Sequence, residues 1–262
     1  MDKTPPEKWH SAIYTFSHAA EGHVGAEIVV SEAAKKGETT PLSLDDLKKM
    51  QARLPGSKII NLHRPGTDDP QAWVLHAPNG VFNLSGVTAK ELFDEVKGLG
   101  LEGIDRQYKC PRRKKVLNKL ARGNFNVADK GHRRDIENFK NTLYSFEKLP
   151  MAQTVRSAFD KLAHETGVLS LQGMLAEANI YYHDGCGIRY HGDDERDNSP
   201  VVGTNMGHER YIMWRPFFKH RIVGEETMIK LSPGDIYAMS KSAVGVGWMR
   251  DTHKRIIYRH RA

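Results

Sequence analysis

The sequence predicts an α+β protein in which N-terminal helices and a small α/β layer precede a β-sandwich or barrel. Three observations indicate this class. Short apolar stretches mix with helical patterns over the first hundred residues. One further amphipathic helix follows near residue 151, and from residue 170 the pattern changes to short strands separated by Gly, Asp and Pro. Many short strands at close spacing are typical of a sandwich or barrel.

The N-terminal region, residues 1–105, contains apolar stretches at 26–30, 57–62 and 72–77 and helical patterns at 43–53 and 88–98. The first helical pattern places apolar residues at 44, 47, 50 and 54, which is the three-four spacing of an amphipathic helix. Ser43 is its expected N-cap, and Pro55 and Gly56 are expected to stop it. Together these stretches predict a small α/β layer.

Glu21 and His23 lie close together near the start of this region. They could form an acid-base or metal pair, but no further residue at a usable spacing in the first hundred supplies a third ligand. A helix-capping glutamate and a packed histidine are therefore the favoured interpretation.

The middle segment, residues 106–150, begins with a basic run and continues as the polar stretch GNFNVADKGHRRD. Its glycines and asparagines predict a long loop with little regular structure. Clustered Lys and Arg side chains can neutralise nucleic-acid phosphates, so Arg112, Arg113, Lys114 and Lys115 are candidate contacts to DNA or RNA. The alternative is a solvated basic helix or loop that contacts nothing.

The C-terminal region, residues 151–262, opens with a helix whose apolar face carries Met151, Val155, Phe159 and Leu162 and which Gly167 closes. The expected strands that follow are LAEANIYYH, GIRYH, VVGTNM, RYIMWR, ETMIKL, DIYAMS and RIIYRH.

Composition excludes several classes of protein. Cys110 and Cys186 are the only cysteines, too few for a disulfide framework, and they favour a reducing compartment. No apolar run approaches the roughly 20 residues of a membrane helix, and the start MDKTPPEKWH is too charged for a signal peptide. We therefore expect an intracellular protein, cytoplasmic or nuclear. Its net charge of +7 favours an anionic partner.

The pair His191 and Asp193 carries the strongest chemical signal. A His-x-Asp pair on an extended strand places both side chains on one side of the chain, as two adjacent ligands of a facial triad. A third ligand from a later histidine would leave positions on Fe(II) open for other groups.

The motif of the AlkB family of oxygenases is resembled by Asn179, Tyr181, Asp184, Gly185, His191, Asp193, Asp194 and Glu195. Stretches 201–210 and 234–239 resemble two of its later strands, so about a third of the chain is covered. The resemblance implies a double-stranded β-helix, or jelly-roll, core that uses Fe(II), 2-oxoglutarate and O2. It also implies that Asn179 and Tyr181 bind 2-oxoglutarate.

The third metal ligand has two candidates. The usual family position corresponds to Trp248, which cannot bind iron, and His253 and His260 follow it. The ending Tyr258 to Ala262 resembles that of a viral and microbial AlkB-like subset, which favours His260. In a competing register, Arg255 and Arg261 match the two family arginines, and His253 is then the ligand.

The first of those family arginines pairs with the distal carboxylate of 2-oxoglutarate, which makes Arg255 its candidate partner. If His260 is the ligand, the partner must come from elsewhere, such as Arg259, Arg189 or Arg221.

The resemblance favours an oxygenase that oxidises a methyl or C–H group on a nucleobase of DNA or RNA. Such an enzyme reaches one base at a time, in a single strand or by flipping it out. Candidates to line the base pocket are Tyr182, Tyr190, Arg210 and Trp214, although Trp214 could equally be a core residue. Two alternatives stay open: an oxygenase acting on a protein side chain or small metabolite, and a non-catalytic nucleic-acid-binding module.

Overall fold

A computed structural model describes residues 9–262, with the exceptions of Val24, Pro65, Asp68 and Pro111. Residues 1–8, at the charged start of the chain, lie outside the described residues. In chain order the strands are β1 (Ser11–Ser17), β2 (Ala19–Glu21), β3 (Ile28–Val30), β4 (Lys58–Asn61), β5 (Trp73–Ala77), β6 (Gln107–Cys110), β7 (Lys115–Asn118), β8 (Gly123–Ala128), β9 (Leu143–Ser145), β10 (Leu175–Tyr181), β11 (Val201–Gly207), β12 (Arg210–Phe218), β13 (Arg221–Ile222), β14 (Thr227–Leu231), β15 (Ile236–Met239) and β16 (Ile257–Arg261). The helices are α1 (Glu32–Lys35), α2 (Leu44–Gln51), α3 (Gly80–Ser85), α4 (Ala89–Gly98), α5 (Pro150–Thr166) and α6 (Lys241–Val244). Across the described part of the chain, every helix is too short or too polar to span a bilayer.

Local sequence signals explain where the longer helices begin and end. Ser43 caps α2, because its hydroxyl accepts a hydrogen bond from the Asp46 amide while the Asp46 carboxylate accepts one from the Ser43 amide. The N-cap predicted at Ser43 is therefore confirmed. Helix α5 has Pro150 in its first turn and ends at Gly167, whose φ of 72° is accessible to glycine without a steric penalty.

The larger sheet, within the described residues, has eight strands in the order β4-β5-β15-β11-β1-β10-β8-β9. Strand β1 lies at its centre and runs antiparallel to both β10 and β11, with Ile13 opposite Asn179 on one side and Asn205 on the other. The smaller sheet is built on β12, which pairs with β13, β14 and β16. The larger sheet is antiparallel except for the parallel pair β8–β9, and the smaller sheet is antiparallel. Two such layers with helices on one side form an α+β jelly-roll fold, as the sequence predicts.

The two faces of β1 show how the layers are arranged. Phe16 packs against Phe159 of α5 with ring centroids 5.2 Å apart, so its face of the sheet is covered by helices. Ile13 and Thr15 alternate with it and line a cavity on the other face. That cavity also contacts Ile212 of β12 and His260 of β16, and it therefore lies between the two sheets.

The middle of the chain is more regular than expected. The stretch of residues 123–135 begins with the fully buried strand β8, in which the Asn124 amide donates to the Gly22 carbonyl at 2.9 Å and which pairs with β10. Residues 129–135 belong to no helix or named strand, as expected of a loop. The basic run is neither helix nor loop but the antiparallel hairpin β6–β7.

The larger sheet takes strands from each of the segments 1–105, 106–150 and 151–262. Strands β1, β4 and β5 come from the first segment, β8 and β9 from the second and β10 from the third, yet all belong to the larger sheet. These pairings join strands that are far apart in sequence, so local patterns do not reveal them. The N-terminal strands are thus part of the jelly-roll core.

Candidate metal centre

Strand β10 presents three polar side chains to the cavity between the sheets. Glu177, Asn179 and Tyr181 alternate along the strand and line the cavity, while the residues between them face the helices. The cavity has a volume of about 470 Å³. The Asn179 side-chain oxygen is buried and has no hydrogen-bond partner, as expected of a group that faces a bound molecule.

His191 and Asp193 reach this cavity from the chain that follows β10. The His191 amide donates to the His260 carbonyl and the His260 amide donates to the His191 carbonyl, both at 2.9 Å, so the two residues form a hydrogen-bonded antiparallel pair. Gly192 lies between the two candidate ligands against the turn after α6, where an added Cβ would be 2.0 Å from the Gly245 carbonyl oxygen. Only glycine allows this close approach.

The imidazoles of His191 and His260 and the carboxylate of Asp193 lie together at the cavity wall. Their nearest ligand atoms all lie within 4.8 Å of one another. His191 Nε2 is 3.5 Å from Asp193 Oδ1, and His260 Nε2 is 3.7 Å from Asp193 Oδ2, which are too long for good hydrogen bonds. Two imidazoles and one carboxylate on neighbouring segments are the donor set of a facial triad.

Asp193 is held in place by a buried arginine. Arg196 donates to Asp193 Oδ2 and to Glu177 Oε2, both at 2.6 Å, and its Nε donates to Ser17 Oγ at 3.2 Å. Burial alone would raise the pKa of Asp193, but Arg196 and the two histidines lower it by more, so the pKa lies well below its ordinary value. The carboxylate is therefore ionised and oriented.

His260 is held as a neutral imidazole. It is 5% exposed, and burial lowers its pKa to about 3, against the opposing effect of Asp193. Its Nδ1 is buried without a hydrogen-bond partner. His191 differs in this respect, because its Nδ1 lies 2.7 Å from the Arg189 carbonyl oxygen and is fixed as the donor, which leaves Nε2 free to ligate. The neutral imidazole of His260, the available Nε2 of His191 and the ionised carboxylate fit a divalent cation.

The remaining C-terminal candidates lie elsewhere. His253 is exposed and packs against His220, with ring centroids 5.1 Å apart. Arg259 is on the opposite face of β16 from His260, between the rings of Phe217 and Trp248. Arg255 is exposed and lies 3.6 Å from Asp251. Neither arginine lines the cavity. Alternation along β16 places Arg259 on the face that points away from the cavity, and Arg255 precedes this strand.

Of the four candidate base-pocket residues, Tyr190 lines the cavity and the other three do not. Trp214 is fully buried in the core, where its indole donates to the Ala243 carbonyl at 3.2 Å, so the alternative that it is a core residue holds. Tyr182 is buried beside Gly123, the first residue of β8. Arg210 lies behind Tyr181, with its guanidinium 3.7 Å from the ring centroid.

The four basic residues Arg112, Arg113, Lys114 and Lys115 are exposed at the turn of the β6–β7 hairpin. Two contacts hold the hairpin to Gly22 and His23. Tyr108 stacks on His23, with ring centroids 3.5 Å apart, and Lys119 donates to the Gly22 carbonyl at 3.0 Å. Since His23 lines the cavity, the Tyr108 end of the hairpin lies against the cavity wall.

Several cavity residues were not predicted from the sequence. Arg196 directly follows the His-x-Asp-Asp-Glu run, and a cation next to so many acids was an available signal. Glu177 could have been found by alternation with Asn179 and Tyr181. The expected packed histidine at 23 is confirmed by its stacking on Tyr108. Glu21 caps no helix: it ends β2 and accepts from the Gly25 amide at 3.0 Å.

Comparison with known proteins places the chain in a family. The profile of the 2OG-Fe(II) oxygenase superfamily matches residues 83–243, which include His191 and Asp193. The uncharacterized protein R156 of Acanthamoeba polyphaga mimivirus is 30% identical over 246 residues, covering 90% of this chain and 89% of the relative. With its jelly-roll core and His-Asp-His group, the chain belongs to the 2OG-Fe(II) oxygenase superfamily.

Proposed function

We propose that this protein is an AlkB-like dioxygenase that uses Fe(II) and 2-oxoglutarate to oxidise a methyl or C–H group on a nucleobase of DNA or RNA. The observation that carries the proposal is the group of His191, Asp193 and His260 on the wall of a cavity of about 470 Å³. A cavity of this size accommodates a small cosubstrate together with part of a base.

The three side chains would hold Fe(II), which together with 2-oxoglutarate and O2 supplies the oxidation of a C–H bond. Asn179 and Tyr181 would bind 2-oxoglutarate, because both line the cavity and the Asn179 oxygen has no partner within the protein. Arg196 orients Asp193 through a hydrogen bond of 2.6 Å to Oδ2 and leaves Oδ1 on the side of His191.

The nucleic-acid substrate is supported by the position of the basic hairpin. Phosphate contacts position a nucleic acid without reading its sequence. The exposed cluster of Arg112, Arg113, Lys114 and Lys115 is at the turn of the hairpin whose Tyr108 stacks on His23, a residue of the cavity wall. A base must leave the stack to enter such a cavity. Tyr190 is the aromatic side chain among the candidates that could contact it there.

Oligonucleotide turnover tests the substrate. We expect Fe(II)-dependent conversion of 2-oxoglutarate to succinate to rise in the presence of one or more single-stranded oligonucleotides carrying N-methylated or C-methylated bases, with loss of the methyl group or gain of oxygen detected by mass spectrometry of the nucleosides. Unmethylated oligonucleotides of the same sequence are the control. Turnover that responds to peptides or metabolites but to no oligonucleotide would contradict the nucleobase substrate and leave the oxygenase chemistry standing.

A further inference from the structure

Arg210, the first residue of β12, places a positive charge inside the protein. Its side chain points inward, on the same face of the strand as Ile212, and the residue is 8% exposed. Its Nη1 donates to Ser11 Oγ at 3.3 Å and its Nη2 donates to the Cys186 carbonyl at 2.7 Å. The Nε is buried without a hydrogen-bond partner.

In the part of the chain that the structure describes, no acidic side chain forms an ion pair with this guanidinium, although the main chain of Ala262 borders the same cavity. The acidic side chains that border the same cavity as Arg210 are engaged elsewhere: Asp184 pairs with His10, and Glu209 pairs with Lys230 at 2.8 Å. The groups that accept hydrogen bonds from the guanidinium are the neutral oxygens of Ser11 and Cys186. A buried charge without a counter-charge is costly, and its retention indicates that an anion binds there.

The surroundings of Arg210 indicate where that anion comes from. The guanidinium lies 3.7 Å from the ring centroid of Tyr181, and Tyr181 also lines the cavity that contains the His-Asp-His group. Arg210 itself borders a second cavity of about 610 Å³, which shares Ile188, Arg189 and Ala262 with the first. An anionic group on a molecule bound at the metal centre could therefore extend past Tyr181 to the guanidinium.

The arginines that line the metal-centre cavity itself are less suited to this role. Arg196 already contacts Asp193 and Glu177, and Arg122 pairs with Glu177 at 3.0 Å. Arg189 is exposed. Arg210 is the one that combines burial, a location against Tyr181 and the lack of an acidic partner within the described residues.

We propose that Arg210 binds the distal carboxylate of 2-oxoglutarate, with Ser11 as a second hydrogen-bonding group. The proposal rests on the proposed function, because it assumes that 2-oxoglutarate binds at the metal centre. The arginine that binds the cosubstrate is then at the start of β12 and not on the C-terminal strand. Arg210 is the residue that selects a dicarboxylate over a monocarboxylate.

Two keto acids of the same chain length test this assignment. 2-Oxopentanoate has a methyl group where 2-oxoglutarate has its distal carboxylate. We would measure the binding of each acid by calorimetry to protein loaded with Mn(II), a redox-stable substitute for Fe(II), using the wild type, Arg210→Met and Arg189→Gln. The wild type should prefer 2-oxoglutarate by about 100-fold, the magnitude expected of a buried hydrogen-bonded charge pair. Arg210→Met should lose this preference while keeping its affinity for Mn(II) and 2-oxopentanoate.

Thermal unfolding without ligand gives an independent readout. Methionine fills most of the space over Tyr181 and removes an uncompensated charge, so Arg210→Met should unfold at the wild-type temperature or above it. A variant that fails to fold, or that unfolds at a much lower temperature, would show that the guanidinium is structural and would overturn the proposal. A preference that persists in Arg210→Met, or that disappears in Arg189→Gln instead, would also overturn it. A wild type that binds neither Mn(II) nor 2-oxoglutarate would overturn the proposed function itself.

Discussion

At the residue scale, Arg196 connects the candidate iron ligand to the rest of the fold. It is 5% exposed, and its guanidinium contacts Asp193, Glu177 and the Ser17 hydroxyl at the end of β1. Each partner comes from a different part of the chain. A planar guanidinium can serve several acceptors at fixed angles, which an ammonium group cannot do in the same geometry.

Replacing Arg196 by Ala should lower the free energy of unfolding by about 3–5 kcal/mol, because it leaves buried carboxylates without a counter-charge. Arg196→Lys should recover part of this loss. Urea denaturation of both variants measures the effect, with Lys230→Ala as the control, since Lys230 forms an exposed pair with Glu209 and its removal should change little. Equal stability of Arg196→Ala and Lys230→Ala would show that the buried network does not support the site.

At the scale of elements, the β6–β7 hairpin links the basic residues to the cavity. Changing Arg112, Arg113, Lys114 and Lys115 together to Ser should weaken binding to a single-stranded oligonucleotide and flatten its salt dependence. The log-log slope should fall by about 0.7 for each phosphate that the variant no longer neutralises. Fluorescence anisotropy at several salt concentrations measures both the affinity and the slope.

A matched variant changes Lys48, Lys49, Lys90 and Lys97 to Ser. These four lysines are exposed on α2 and α4, and those helices pack with α5, which covers the face of the larger sheet opposite the cavity. The variant removes the same charge but should keep the slope. A hairpin variant that behaves like this control would mean that the hairpin contacts no phosphate.

Lys119, which holds the same hairpin to the Gly22 carbonyl, should make the stability of the protein depend measurably on pH. Burial lowers the pKa of Lys119 from its ordinary 10.5 to about 7, so between these values the unfolded chain binds more protons at this residue than the folded chain. Stability contributed by Lys119 therefore rises with pH from about 7 towards 10.5. We expect the free energy of unfolding of the wild type, relative to that of Lys119→Met, to be larger at pH 9 than at pH 7 when both are measured by urea denaturation. A constant difference between the two proteins would contradict the lowered pKa.

Comparison of the elements shows what the sequence could predict. Helix α2 and the strands beside it follow from local signals, namely the Ser43 cap and the apolar spacing. Strand β8 does not, because the polar side chain of Asn124 is buried through a partner distant in sequence, the Gly22 carbonyl. The partners that turn such a stretch into a strand are set by the topology, which local patterns do not contain.

At the scale of the whole molecule, the position of β1 is also set by the topology and could not be predicted from local sequence patterns. The strand lies between β10 and β11 although more than 150 residues separate it from either, and it supplies Ile13 and Thr15 to the cavity. The motif residues His191 and Asp193 can be chosen from the sequence because they are adjacent in it. Arg210 is a candidate on the sequence alone, but its lack of an acidic partner is visible only in the folded chain, among the described residues.

The central claim is that His191, Asp193 and His260 make this protein an Fe(II)- and 2-oxoglutarate-dependent oxygenase. The most direct measurement is the formation of succinate from 2-oxoglutarate in the presence and absence of Fe(II), for the wild type and for Ala variants of these three residues. His253→Ala is the control, since that imidazole lies outside the cavity. We expect Fe(II)-dependent succinate formation by the wild type and by His253→Ala, and its loss in each of the three ligand variants, because a three-ligand site has little redundancy. Turnover retained in His191→Ala or Asp193→Ala, or lost in His253→Ala while His260→Ala stays active, would contradict the account.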